Sequence, residues 1–214
     1  AILNEDQLYI IPDDIIDRAA VLIEPVGVAV RAVSKVKINP YEKVLITGPG
    51  TIGLLTLLVL KLHGCKVCVV GIEKDKERLE LSKELGADET RILDLSAEKT
   101  SVISEYDIAL ECSGHEVAVD YCLKSLIPKG QYVQVGTSSN KLNMDFMAIA
   151  YKELKVTGSI GATRKDWGNA IKVLKRIQEK AVKIIGNEIP LDEWEKGFNN
   201  FSASKGKPKT VFIV

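Results

Sequence analysis

Histidine and cysteine are scarce: two histidines, His63 and His115, and four cysteines, Cys65, Cys68, Cys112 and Cys122, in 214 residues. Two isolated histidines do not support a Ser–His–Asp or Cys–His nucleophilic site. His63 falls at a helix end, where its charge suits the dipole, and neither histidine is assigned a ligand or proton-relay role. The C-x-x-C spacing of Cys65 and Cys68 would suit a redox pair or half a zinc site. On a strand, however, that spacing turns the two side chains to opposite faces, and no second cysteine pair completes a zinc site. Free buried thiols in a reducing cytoplasm are expected.

Neither sign of charge is in excess, since 29 Lys+Arg balance 29 Asp+Glu. No global field therefore steers the chain toward nucleic acid or an anionic membrane. The longest apolar stretches, 54–60 and 21–33, are too short or are broken by Glu24 and Arg31, so no membrane span is expected. No basic, apolar leader opens the chain and its first residue is not methionine. A piece of a longer protein is expected.

The remainder is ordinary for a globular protein, with 46% hydrophobic and 27% charged residues. From Lys43 onward strand and helix signals alternate. Strands are predicted at 43–47, 66–72, 90–93, 106–112, 130–136 and 154–159, and helices at 52–63, 75–85, 116–126 and 166–179. Apolar strands alternating with amphipathic helices imply an α/β fold with a doubly wound parallel sheet. Right-handed crossovers would put all six strand ends on one edge, where ligands bind. Before the sheet, Ile11-Pro12-Asp13-Asp14 reads as a helix start with an Asp cap. A second helix is predicted from near Pro25 to about Ser34. After it, Val182-Lys183-Ile184-Ile185 and Thr210 to Val214 read as strands around a helix near 191–201.

One stretch carries chemistry. Gly48-Pro49-Gly50-Thr51-Ile52-Gly53 follows the strand Val44-Leu45-Ile46-Thr47 and precedes the helical run from Leu54. A G-x-G-x-x-G between strand and helix has a mechanism. Gly48 allows a tight turn, Gly50 lets a pyrophosphate approach the backbone, and Gly53 lets helix and strand pack closely. The N–H groups of Thr51 and Ile52 would then sit at a helix start, where anions are favoured. The second strand ends at Glu73, twenty residues after Gly53, where a carboxylate can accept both hydroxyls of an adenine ribose. Such an acid repels a 2′-phosphate and favours NAD over NADP, although Lys74 just after it could serve a phosphate. Cys112-Ser113-Gly114 and Val135-Gly136-Thr137 close the fourth and fifth strands on the same edge. There the backbone of Cys112, Ser113, Val135, Gly136 and Thr137 would line the cofactor. Ser159 and Ile160, closing the sixth strand, could present backbone groups to the carboxamide.

The sequence resembles the medium-chain dehydrogenase family, in particular its zinc-dependent polyol, threonine and butanediol dehydrogenase branch. The matching words run in the family's order through nearly all of the chain. They are Leu22-Ile23-Glu24-Pro25, the Gly48–Gly53 loop, Glu84-Leu85-Gly86-Ala87-Asp88 and Glu111-Cys112-Ser113-Gly114. Then come Gly130 to Gly136, Lys152 to Ser159, and Ile189-Pro190-Leu191-Asp192-Glu193-Trp194. The resemblance implies a six-stranded Rossmann domain over 41–180. It also implies a hinge segment over 1–40 and a tail over 181–214 that returns toward an N-terminal barrel-like domain, which these residues lack. It implies that Glu24 approaches the catalytic zinc of the intact enzyme, against the plainer reading of an acid at a helix start. Arg78 would either lie over the adenine or be an exposed helix charge. The family joins its nucleotide domains through the sixth strand, so a homodimer through 154–159 is expected.

These readings make the chain the NAD(H)-binding domain of a zinc-dependent alcohol or polyol dehydrogenase. The intact enzyme would move hydride between a secondary alcohol and NAD, and this chain alone is expected to be inactive. The alternatives are a non-catalytic dinucleotide-binding regulatory module and an S-adenosylmethionine methyltransferase. Gly53 at the helix opening argues against the latter.

Overall fold

Strand ends decide where a ligand can sit in a parallel sheet. In the computed structural model, residues 4–5, 8–94, 104–142, 144–202 and 208–214 are described. Two helices open the chain, α1 (Asp17–Ala20) and α2 (Ile23–Val33). The alternating body follows: β1 (Lys43–Thr47), α3 (Thr51–Lys61), β2 (Lys66–Gly71), α4 (Lys76–Leu85) and β3 (Glu89–Ile92). Its second half is β4 (Tyr106–Glu111), α5 (Glu116–Ser125), β5 (Leu126–Gln134), α6 (Met147–Tyr151) and β6 (Lys155–Gly158). The long helix α7 (Arg164–Ala181) leads to β7 (Ile185–Pro190), α8 (Trp194–Ser202) and β8 (Lys209–Ile213).

The six body strands form one sheet in the order β3-β2-β1-β4-β5-β6, and every pairing is parallel. The chain starts at the centre, winds outward through β3, then returns to the centre and winds the other way. The point of reversal lies between β1 and β4. There the loops leaving neighbouring strands diverge and open a crevice.

The strands are apolar on both faces because helices cover both. On one face Val44, Ile46, Val67, Val69, Ile108, Leu110 and Val133 pack with α2, α3, α4 and α7. On the other, Leu45, Cys68, Val70, Ala109 and Tyr132 pack with α5. Consecutive residues alternate between these clusters, as the pleat requires. Cys65 belongs to the first cluster and Cys68 to the second, so the C-x-x-C pair is split by the sheet.

Three local readings need correction. The first helix begins at Asp17, not at 11–14, and Ile16 caps it without a side-chain bond. Asp14 is drawn elsewhere, its carboxylate pairing with Lys175 and its carbonyl accepting from Gln178 Nε2 at 2.9 Å. The second helix starts at Ile23, with Pro25 inside its first turn, where the missing N–H costs no helical bond. Finally, the β-branched run 182–185 is a 3₁₀ turn over Val182–Ile184 that tightens the end of α7. It buries Ile184 and Ile185 in the core, and the strand follows it rather than containing it. Strand β7 pairs in parallel with β8 as a separate two-stranded sheet.

Candidate functional site

The turn after β1 is held open by glycines with different duties. Gly48 has φ +89°, and a Cβ on it would lie 2.9 Å from the Ser113 nitrogen and Cβ. Its N–H donates to Val70 O at 2.8 Å, binding the turn to β2. Gly53 sits directly over the turn, since a Cβ there would come within 2.1 Å of Gly48 O. Gly50 differs. It caps α3 in extended conformation, and a Cβ on it would meet nothing within 4 Å. The middle glycine therefore faces open space, beside the helix's first N–H groups, which have no partner within the helix. Thr51 and Ile52, the first two residues of α3, are half-buried. Thr51 Oγ1 also donates to Pro208 O at 3.2 Å, tying the loop to the segment entering β8.

Across the crevice, β4 ends in a buried acid. Glu111 is fully enclosed, and a carboxylate in that position must be surrounded by donors. It accepts from Ser113 N at 2.7 Å, from Ser113 Oγ, and from Gly114 N at 2.9 Å. Gln134 Nε2 at 2.7 Å and Thr47 Oγ1 at 3.3 Å complete the shell. One side chain thus joins the ends of β1, β4 and β5. The two following loops interlock tightly: a Cβ on Gly136 would lie 2.2 Å from Gly114 N, and one on Gly114 2.2 Å from Thr137 O. Burial, then the Glu111 charge, push the Cys112 thiol up, which keeps it out of thiolate chemistry.

Between these walls lies a cavity of 340 Å³. Val70, Leu93 and Ala118 give it an apolar lining, and Lys74, Asp75, Ser113 and His115 a polar one. Thr47, Gly48, Gly71 and Ile72 complete it. Of the predicted residues, the structure brings Gly48, Lys74 and Ser113 to this cavity, beside the turn made by Gly50, Thr51, Ile52 and Gly53. Glu73, Arg78, Cys112, Val135, Thr137, Ser159 and Ile160 do not line it. The Glu73 side chain is 71% exposed and pairs with Lys76. Arg78 faces Asp75 at 3.6 Å. Gly136 belongs to a neighbouring groove with Gln134 and Ser138. Ser159 ends the sixth strand with its N–H on Gln134 O at 2.9 Å, and its enclosed hydroxyl has no partner among the described residues.

Sequence reasoning misses Glu111, Asp75, His115 and Leu93. For Glu111 a signal exists, because an acid closing an apolar strand has to be satisfied internally. Asp75 is signalled only by its i,i+3 spacing to Arg78. His115 directly follows the Cys112-Ser113-Gly114 turn on the ligand edge, whereas Leu93 follows β3 and carries no local mark.

The sequence profile of the family described as Zinc-binding dehydrogenase matches residues 51–176, more than half of the chain. The chain belongs to that family. A sorbitol dehydrogenase of Halalkalibacterium halodurans is 33% identical over 204 residues, covering 92% of this chain and 60% of the relative. Two solved structures share the fold at 24% identity. An alcohol dehydrogenase from Escherichia coli CFT073, complexed with NADH, has a TM-score of 0.84, covering 96% of this chain and 62% of that one. A zinc-binding dehydrogenase from Sinorhizobium meliloti 1021, bound to NADP, has 0.82, again with 96% and 62% covered. The chain spans about three fifths of the length of these relatives.

A zinc-binding dehydrogenase implies two bound groups, a dinucleotide and zinc. A dinucleotide fits: Gly50 offers bare backbone at a helix start, and the interlocked loops put Ser113 and Gly136 on the same edge. Zinc does not fit these residues alone. Glu24 lies exposed in the first turn of α2, and no three His, Cys, Asp or Glu side chains gather to hold a metal ion among the described residues. A single carboxylate does not retain Zn²⁺.

Proposed function

We propose that this chain is the nucleotide-holding part of an NAD(H)-dependent alcohol or polyol dehydrogenase acting on a secondary alcohol. The observation that carries the reading is the open face of Gly50 between the crowded Gly48 and Gly53. Of the three glycines of this turn, the one that would meet a pyrophosphate is the one free of protein neighbours. When bound, the nicotinamide exchanges a hydride with the substrate. The chain's own residues hold it there: backbone N–H groups of Thr51 and Ile52 for the phosphates, and the β4 and β5 loops for the far end. Glu111 keeps those loops in place, and Ser159 and Ile160 would present backbone groups at the end of β6.

In this reading residues 1–40 are a hinge, 41–180 the nucleotide domain and 181–214 a tail that packs on the remainder of the enzyme. Glu24 would meet zinc only there, and the alcohol would bind there too. Solved members of the fold hold NADH in one case and NADP in another, so the preference for NAD rests on side chains. A cytoplasmic setting is supported by four free cysteines. No helix among the described residues is long and apolar enough to cross a membrane.

A homodimer through β6 belongs to the same proposal. Among the described residues this strand pairs with β5 alone, which leaves its outer edge without a strand partner there. Val156 is 46% exposed on it. Lys152, three residues before it, turns to the end of α5. Its ammonium donates to Leu123 O, Lys124 O and Leu126 O at 3.2, 2.6 and 2.7 Å, capping the end of α5.

Fluorescence titration of the purified chain with NADH tests the reading. Saturable binding in the micromolar range or somewhat weaker is expected, because half of the cleft is absent. No alcohol turnover should accompany it, with or without added Zn²⁺. Failure to saturate at millimolar NADH would overturn the assignment.

A further inference from the structure

Helix α3 begins at the glycine turn and ends, roughly 15 Å of helix later, near the amino end of β2. At that far end a second groove opens between α2, α3 and α7, with a volume of 380 Å³. Each helix gives it one face, at i, i+3 or i+4 spacing. Val30 and Val33 come from α2, Val59 and His63 from α3 and the turn after it, and Asn169, Lys172 and Val173 from α7. In the connector to β1, Val36 and Ile38 line the groove too. They alternate with the exposed Lys35 and Lys37, so the connector turns its apolar side inward.

The lining sorts by chemistry. Its apolar part is wholly aliphatic. Val33 and Val59 are buried, while Val30, Val36, Ile38 and Val173 pack on the core and stay partly exposed. Among the described residues no acid lines the groove. The side chains of its donors, Lys172, His63 and Asn169, make no hydrogen bond or ion pair among those residues. An aliphatic recess with one ammonium at its rim complements a molecule with a hydrocarbon body and one negative charge. A single ammonium beside neutral N–H groups suits a carboxylate. The planar forks of arginine, which match phosphate oxygens two at a time, are absent from the lining. No aromatic ring is there for a planar ligand to stack on.

We infer that this groove binds an aliphatic monocarboxylate, with Lys172 at the carboxylate and the valines of the three helices along the hydrocarbon tail. It shares no residue with the nucleotide cavity, and the inference stands or falls independently of the nucleotide reading.

The test is a methyl-resolved NMR titration of the whole chain with octanoate. Saturable shifts are expected on Val30, Val33, Val59 and Val173 at submillimolar octanoate. Hexanoate should bind at least threefold more weakly, since each buried methylene adds to affinity. Octanol, which keeps the tail and loses the charge, should bind at least tenfold more weakly than octanoate. Lys172 is exposed, so Lys172→Glu should fold and should weaken octanoate at least tenfold. Lys165→Glu, two turns earlier on α7 and outside the groove, should stay within twofold of wild type. The octanoate–octanol comparison needs no variant, so it decides the role of charge even where a substitution fails to fold. Equal affinity for octanoate and octanol, or valine methyls that do not move at millimolar octanoate, would overturn the inference. So would the same shifts appearing when the chain is concentrated alone, because a second copy would then occupy the groove.

Discussion

The Glu111 carboxylate and the Gln134 amide meet at 2.7 Å inside the carboxyl edge of the sheet, tying the end of β4 to the end of β5. The same carboxylate holds Ser113 N and Gly114 N, and the same amide reaches Gly136 O at 2.8 Å. The edge is thus pre-shaped by one buried acid. Glu111→Gln changes few atoms but turns an amide donor toward backbone N–H donors. Leaving such groups unsatisfied costs about 1–3 kcal/mol. Urea unfolding should show that loss, and NADH affinity should fall with it because the Ser113 and Gly136 loops drift. Unchanged affinity and midpoint would remove Glu111 from the edge.

Gly50 and Gly53 separate binding from folding. Gly50→Ala adds a methyl where nothing lies within 4 Å, so the fold should keep its melting temperature. On the proposed reading the methyl would stand where the phosphates approach, and NADH affinity should drop at least about tenfold, some 1.4 kcal/mol. Gly53→Ala forces a Cβ to within 2.1 Å of Gly48 O and should lower stability and binding together. Equal effects of the two substitutions on melting temperature would contradict this division.

The parallel sheet is legible in sequence because runs such as Val44-Leu45-Ile46 are apolar on both faces and are punctuated by glycine and helix patterns. The glycine turn before α3 is legible because its glycines have fixed offsets. The place of Asp75 in the cavity lining is not, because only the fold-back of one 3₁₀ turn brings it there. Nor is the Val182–Ile184 turn, whose β-branched residues suit a strand until packing at the end of α7 decides otherwise.

Acid should loosen the contact between α2 and α7. Burial works against ionisation of Asp166, but the Thr163 hydroxyl and N–H, with Arg31 at 3.0 Å, hold its carboxyl below the usual 3.8. A carboxyl depressed in the folded state stabilises it above the unfolded pKa, and that contribution is lost as pH falls through the folded value. Asp166→Asn should therefore unfold at lower urea than wild type at pH 7, by about 1.5–3 kcal/mol for charged hydrogen bonds. The gap should narrow once pH falls below about 4. A gap constant from pH 7 to pH 3 would show that the charge contributes nothing.

The open edge of β6 predicts self-association. Wild-type chain should sediment as a dimer at tens of micromolar, and Thr157→Pro, which removes a backbone donor from the ladder, should sediment as a monomer. A monomeric wild type would sink the pairing of two sheets.

The most direct measurement of the central claim is an amide-resolved NMR titration of the chain with NADH. The account predicts shifts concentrated on Gly48, Gly50, Thr51 and Ile52, with a second group at Ser113, Gly114 and Gly136. Saturable binding whose shifts spare the Gly48–Gly53 turn, and fall on β7, α8 and β8 instead, would contradict it.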